Sequence, residues 1–248
     1  MTKVAMIPAR YAATRFPFKL MQPLGDKTVI RQTYDNTIAT GLFDKVIVVT
    51  DNEIIYKEIT SHGGSALMSS EHHESGSDRI AESVMNMEAD VILNVQGDEP
   101  FMKKEALRDL LNVFEGHAGK EVRVASLMKV FADKTKVSDP NYVKVVVDKN
   151  MNSLMFSRSV IPYNRDNNNT TVYHEHIGVY AFRKQALLQF TKWPVTPLEA
   201  AEKIECLRYL EHGIPLKMVL TDTDTVKIDV PEDLAKAEAY LNKLENQF

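Results

Sequence analysis

Three cations follow a short apolar strand at the start of the chain: Arg10, Arg15 and Lys19, within residues 7–19 (IPARYAATRFPFK). Fixed positive charge on a loop leaving a strand suits a strongly anionic small molecule, a triphosphate first. Open α/β sheets bind their ligands at the carboxyl ends of the strands. The loop lacks the glycine-rich turn through which backbone N–H groups cradle phosphate, so recognition must rest on side chains. Basic residues in a loop are also ordinary surface charge. A second tract, residues 94–100 (NVQGDEP), follows another apolar run. Gly97 admits close approach of a ligand, and Asp98 is a hard oxygen donor suited to Mg²⁺. The same Gly-Asp-Glu-Pro composition also makes a tight turn. Asp229, just before Pro231, fits an acid stabilised by the dipole at a helix N-terminus. Taken together, two such carboxylates could hold a divalent metal against a polyphosphate.

These residues need elements to position them. Residues 3–7, 45–49 (KVIVV), 65–68, 90–95 (DVILNV) and 122–130 read as strands. Helices are predicted over 28–40, closed by Gly41, and over 52–62, capped by Asp51 and ended at Gly63 and Gly64. Two more are predicted over 77–86 and 103–114. Strands alternating with helices imply parallel βαβ units and a covered sheet. The rhythm changes after about Ser138. Residues 141–148 (NYVKVVVD), a turn at Lys149-Asn150 and residues 153–156 predict a hairpin. A polar loop over 164–171 (NRDNNNTT), a strand over 175–182 and a mostly helical stretch over 196–211 follow. Short strands are expected over 217–220 and 225–228. Pro231 then opens a final helix with Leu234, Ala237, Leu241 and Leu244 at helical spacing. The chain reads as one α/β domain over residues 1–248, with an inserted, partly antiparallel segment at about 141–211.

Composition narrows the setting. A length of 248 residues suits one large α/β domain or two small ones. No apolar run approaches a bilayer span, and the N-terminus shows no signal-peptide pattern, so no membrane association is expected. The lone cysteine, Cys206, excludes an internal disulfide framework and points to a reducing cytoplasm. A net charge of −4 argues against a general nucleic-acid binder, which makes the cationic first loop look local and purposeful.

Several blocks, in order along nearly the whole chain, resemble the 3-deoxy-manno-octulosonate cytidylyltransferase (CMP-Kdo synthetase) family. They are Ile7-Pro8-Ala9-Arg10-Tyr11 with Thr14-Arg15 and Lys19, residues 94–100, Phe156-Ser157-Arg158 with Ile161-Pro162, and Asp229-Val230-Pro231-Glu232-Asp233. The resemblance implies a Rossmann-like nucleotidyltransferase three-layer sandwich of the nucleotide-diphospho-sugar transferase type. It implies CTP plus the eight-carbon acid Kdo giving CMP-Kdo and pyrophosphate, with Mg²⁺, for lipopolysaccharide assembly. By match to the family motifs, Arg10, Arg15 and Lys19 would contact the triphosphate, with Pro8, Ala9, Ser75, Gly76 and Arg79 near the nucleotide. Asp98 and Asp229 would hold Mg²⁺, and with Arg15 and Lys19 would form the catalytic set. Gln96, Arg158, Arg165, His176, Tyr180 and Glu205 would line the sugar site, arginine being suited to bidentate recognition of the Kdo carboxylate. Without the resemblance, Arg158 and Arg165 read as solvated surface charge. The inserted segment would build a homodimer.

Two departures from the family pattern stand out. Phe18 occupies a position where the family carries glycine, which puts a positive φ or close backbone approach there in question. Cys206 stands where glutamine is common beside Glu205, and a related sugar such as an 8-amino analogue of Kdo stays open. Other motifs carry less. Asp222-Thr223-Asp224 matches a metal-binding Asp-x-Asp but lies where acidic turn residues are expected. His174-Glu175-His176 and His72-His73 fit no zinc spacing, and Cys206 reads as a small buried apolar group. Two other classes remain: a different nucleotidyltransferase, for sialic acid or a sugar phosphate, and a non-catalytic nucleotide-binding protein on the same fold. Sialic-acid enzymes usually lack the Gln-Gly-Asp-Glu-Pro run, and sugar-phosphate enzymes carry a glycine-rich first loop.

Overall fold

The computed structural model describes residues 1–12, 16–70, 73, 75–166, 170–223 and 226–245. In chain order the elements begin with β1 (Lys3–Ala9), β2 (Pro23–Leu24), β3 (Lys27–Thr28), α1 (Val29–Ala39), β4 (Lys45–Thr50) and α2 (Glu53–Thr60). They continue with β5 (Ala66–Met68), α3 (Gly76–Val84), β6 (Val91–Asn94), α4 (Lys104–Asn112), β7 (Val124–Val130), β8 (Lys144–Val147) and β9 (Ser153–Ser157). The chain closes with β10 (His174–Arg183), α5 (Lys184–Phe190), α6 (Pro197–Glu202), α7 (Leu207–Glu211), β11 (Lys217–Leu220) and α8 (Pro231–Glu245). The class is mixed α/β, as the alternation of strand and helix signals predicts. The chain divides into two compact units, residues 1–107 with 224–248, and residues 108–223.

The first unit is built on parallel strands in the order β6-β1-β4-β5. β1 and β4 are apolar on both faces, and Val4, Ala5, Met6, Ile7, Val48 and Val49 are fully buried, as expected for a covered parallel sheet. Pro8 breaks no ladder bond. β6 pairing ends at Met6–Asn94, and Pro8 lies two residues further on the same side. The helices start on side-chain caps. Thr28 accepts from the Arg31 N–H, and Ser75 and Asp78 form a reciprocal capping box on α3. On α2 the cap is Asn52, whose side chain accepts from the Ile54 N–H, and not Asp51. Asp51 is drawn away because the buried Arg79 guanidinium takes its carboxylate at 2.5 Å. α8 buries Ala237 and Leu241, the middle of its predicted apolar stripe. Leu241 lies where a Cβ on Gly25, in the β2–β3 turn, would come within 2.7 Å. Among the described residues of the expected 225–228 strand, 226–228 form none, because the Ile228 N–H turns to the Asp98 carbonyl at 3.0 Å.

In the second unit β11 runs parallel to β7, β10 runs antiparallel to β7, and β8 and β9 form the expected antiparallel hairpin. β8 also pairs with the start of β10. The β7–β10 register slips between Ile177 and Tyr180, a bulge that takes in Gly178 and Val179. The stretch expected to be one helix over 196–211 is two. α6 starts on a Thr196–Glu199 capping box with Pro197 in its first turn and stops at Lys203, whose φ is 53°. α7 resumes at Leu207, and the interruption leaves Glu205 outside either helix. A buried ion pair, Arg208 Nη2 to Glu199 Oε1 at 2.6 Å, ties α7 back to α6. α5, which the sequence pattern does not signal, buries Ala186, Leu187 and Phe190, with Phe190 stacked on Tyr209 at 4.7 Å between ring centroids.

Candidate functional site

The carboxyl ends of β1, β4 and β6 lie at one edge of the first unit because the three strands are parallel. Arg10, Asp51 and the tract 94–100 therefore emerge together. The tract is seated from several directions. Thr33 Oγ1 of α1 donates to the Gly97 carbonyl at 2.9 Å, and Asn36 Nδ2 donates to the Pro100 carbonyl at 2.6 Å. Gly97 has no room for a side chain: a Cβ there would meet the Pro8 carbonyl at 3.2 Å, Ile30 at 3.2 Å and Leu20 at 3.4 Å. That close approach brings the tract against β1 and against the turn that carries Lys19.

Lys19 opens a 3-10 turn, Lys19–Met21, anchored by the buried Leu20. Phe18 precedes it at φ 57° and ψ 24°, so the left-handed conformation typical of glycine persists without glycine. The cost for an L-residue is roughly 1–2 kcal/mol. Its ring packs on Tyr11 with centroids 4.6 Å apart, a contact that offsets about 0.5–1.5 kcal/mol.

The turn aims Lys19 Nζ between two acids. It donates to Asp98 Oδ2 and lies 3.3 Å from Asp229 Oδ1. Lys227 Nζ holds the other oxygen of Asp229 at 3.1 Å. The helix-terminus role that Asp229 could also have filled is taken by Asp233, whose carboxylate accepts from the Asp229 and Val230 N–H groups. Two acids more than a hundred residues apart in sequence thus share one ammonium. Glu99 is buried beside them. Desolvation first, then the neighbouring Asp98 carboxylate, push its pKa up to about 7. The Lys227 pKa also rises: desolvation lowers it, but the carboxylates of Asp98, Asp229 and Glu99 outweigh that and favour the ammonium.

This cluster suits a hard divalent cation. Asp98 Oδ1 and Glu99 Oε2 are buried without a hydrogen-bond partner, an arrangement costly unless something positive completes it. Among the described residues no three His, Cys, Asp or Glu side chains form a metal cage. Mg²⁺ is typically held by one or two carboxylates, with water and substrate phosphate completing its octahedron.

Two of the other nucleotide candidates, Arg10 and Arg79, line a cavity of about 330 Å³ together with Tyr11, Ala12, Asp51, Asn52 and His73. Arg10 Nη2 donates to the His73 carbonyl at 3.3 Å. Arg79 is almost fully buried, with Nη2 on Asp51 and Nη1 on Ser69 Oγ, both at 2.5 Å. Ser75 is engaged as the cap of α3, and a Cβ on Gly76 would meet the Pro8 ring at 3.3 Å. Ala9 is buried at the end of β1. Arg15 lies outside the described residues, as do His72 and Asp224.

The sugar candidates fall in both units. Gln96, in the first, reaches Asn94 Oδ1 at 3.4 Å. In the second, His176 and Tyr180 share β10, with ring centroids 5.5 Å apart. Burial pushes the His176 pKa down to about 3, leaving the imidazole neutral. Burial, and next the neighbouring Cys206 sulfur and Glu205 carboxylate, hold the Tyr180 hydroxyl well above its usual ionisation range. Cys206 is itself buried, and its thiol is pushed up for the same first reason. Arg158 is committed to backbone rather than spread into solvent. Its Nε donates to the Glu202 carbonyl and its Nη1 to the Pro140 carbonyl, both at 2.7 Å. Lys144, fully buried, donates to the carbonyls of Arg158, Asp139 and Tyr142. Arg165 is exposed, beside residues 167–169, which lie outside the described residues.

Sequence reasoning missed Glu99, Lys227, Lys144 and Glu202. The signal for Lys227 was its two-residue spacing from Asp229, which places both side chains on one side of an extended segment. Glu202 and Lys144 gave no such signal, because their partners are backbone groups and distant side chains.

Known proteins point the same way. A cytidylyltransferase family model matches residues 4–228. A 3-deoxy-manno-octulosonate cytidylyltransferase of Flavobacterium johnsoniae is 53% identical over 97% of this chain and 99% of that protein. Its counterpart from Christiangramia forsetii is 52% identical over 96% of each chain. A solved structure of CMP:2-keto-3-deoxy-manno-octonic acid synthetase complexed with CTP aligns with a TM-score of 0.92 at 32% identity, covering 98% of this chain and 99% of that one.

Proposed function

We infer the reaction from one premise: the chain belongs to the cytidylyltransferase family, among its 3-deoxy-manno-octulosonate cytidylyltransferases. The reaction is CTP plus Kdo giving CMP-Kdo and pyrophosphate. The observation that carries it is the meeting of Asp98, Asp229 and Lys19 at the strand edge, beside a cavity with Arg10 and Arg79 on its wall. The anomeric hydroxyl of the sugar attacks the α-phosphorus of CTP in line, and the bond to the departing pyrophosphate breaks. Mg²⁺ held by Asp98 and Asp229 would supply charge neutralisation at the α-phosphate and a lowered pKa for the attacking hydroxyl. Arg10, Arg15 and Lys19 bind the triphosphate, and Arg15 and Lys19 stabilise the charge that develops on pyrophosphate. Such transfers depend mainly on positioning and electrostatics. Lys19 can serve both acids and phosphate because a lysine ammonium has three donors on a flexible stem.

Pro8, Ala9, Ser75, Gly76 and Arg79 shape the nucleotide pocket. Arg79 does so as a buried strut and Ser75 through the start of α3. Gln96, His176, Tyr180 and Glu205 bind the sugar, with Arg158 and Arg165 toward its carboxylate. Self-association through residues 141–211 is supported by exposed Leu154, Val160, Tyr163 and Val172 in that segment. Among the described residues no helix is long and apolar enough to cross a membrane. The product would feed lipopolysaccharide assembly from the cytoplasm. The reading is tested by pyrophosphate release from CTP and Mg²⁺ with and without Kdo. Release that requires Kdo and yields CMP-Kdo supports it; release with a sugar phosphate or sialic acid but not Kdo, or none with any acceptor, overturns it.

A further inference from the structure

The bulge in β10 gives Ser126 an unusual set of neighbours. Its Oγ, fully buried on β7, lies 2.9 Å from the Val179 carbonyl, 3.1 Å from the Ile177 carbonyl and 2.9 Å from His176 Nε2. A hydroxyl has one proton. Were that proton given to His176, both carbonyl oxygens would face the Ser126 oxygen with no hydrogen between them, in a buried site where unpaired polar contacts are costly. Donation to one of the carbonyls, Val179 being the nearer, leaves one such contact in place of two, and Ser126 can then only accept from the ring. We infer that Ser126 fixes His176 in the Nε2–H tautomer, so that its Nδ1 is a hydrogen-bond acceptor for a hydroxyl of the sugar acid. The inference rests on the reading that Kdo is the acceptor substrate.

The ring is held for this task. Phe156 meets it edge-on at 4.8 Å and Tyr180 lies 5.5 Å away, so rotation is restricted. Nδ1 has no hydrogen-bond partner among the described residues. Burial keeps the imidazole uncharged across the physiological range, so the acceptor lone pair is not lost to protonation. A neutral acceptor discriminates for a hydroxyl donor and against a second carboxylate, which would meet a lone pair. Ser126 is thus a positioning residue, acting through His176.

The test uses the full chain labelled with ¹⁵N-histidine, His176 being assigned by comparison with His176→Gln. The expected spectrum shows His176 with a protonated Nε2 and an unprotonated Nδ1, unchanged down to pH 5. Kdo, added with Mg²⁺ and a non-hydrolysable CTP analogue, then shifts the Nδ1 resonance. Ser126→Ala is expected to mix the two tautomers and to raise KM for Kdo about threefold to tenfold, the size of one hydrogen bond, more than it lowers kcat. A wild-type Nδ1–H tautomer overturns the inference whether or not Ser126→Ala folds. An Nδ1 resonance indifferent to Kdo in an enzyme that makes CMP-Kdo overturns the sugar contact. An enzyme that makes no CMP-Kdo, with the tautomer as described, overturns the reaction assignment instead.

Discussion

Replacing Asp98 with asparagine separates catalysis from folding. The side chain keeps its shape but loses its charge, its acceptor strength toward Lys19 Nζ and its capacity to hold a divalent cation. Two structural effects partly offset each other. Losing a charge-assisted hydrogen bond costs about 1.5–3 kcal/mol. Yet the Asp98 carboxylate is one cause of the raised Glu99 pKa, so its removal relieves repulsion in a buried pair. Lys19 also retains Asp229 at 3.3 Å. The net loss should be about 1–2 kcal/mol, a few degrees in Tm for a chain of this size. Against a total stability of roughly 5–15 kcal/mol the variant stays folded. Turnover should fall far more. Removing one electrostatic stabiliser of a transition state typically costs about 2.7–4 kcal/mol, or roughly 100- to 1,000-fold in kcat. The assay is pyrophosphate release at saturating CTP, Kdo and Mg²⁺, with urea unfolding of the same preparation. Near-normal turnover in folded Asp98→Asn protein would refute the reasoning, and so would a loss of turnover that merely tracks unfolding.

Two further outcomes follow from the geometry. Because burial holds the His176 pKa down at about 3 in the fold, against 6.5 for a solvated imidazole, the unfolded chain binds a proton in that window that the folded chain refuses. Stability therefore falls as pH drops from 6.5 toward 3. By pH 5 this one group should cost about 2 kcal/mol, which urea unfolding of His176→Gln should show as a shallower acid slope. Gly97→Ala should destabilise by about 1–3 kcal/mol and lower turnover, since the new methyl meets the immovable Pro8 carbonyl at 3.2 Å. A neutral result in thermal melts and activity would contradict the close approach.

Much of this was legible in the residues. KVIVV and DVILNV announced buried parallel strands, and Thr28, Gly41 and Pro231 marked helix ends where they fall. The errors have tertiary causes. Asp51 reads as a cap until Arg79 claims it across 28 residues. The stretch over 196–211 has helical composition throughout, and only tertiary contacts set the break at Lys203. Phe18 was the least legible, because nothing in a phenylalanine announces a left-handed backbone; packing on Tyr11 supports it. The pairing of Asp98 with Asp229 could not be read from spacing at all. It follows from the Ile228 N–H bonding the Asp98 carbonyl, which draws a distant segment onto the β6 loop.

The shared role of those two acids is open to one decisive measurement. A double-mutant cycle of kcat, in saturating Mg²⁺, compares Asp98→Asn, Asp229→Asn and the two combined. If both carboxylates serve a single cation, the combined variant loses scarcely more than the worse single variant, because either change already disables the unit. If the losses multiply, the acids act independently and the account of the site is wrong.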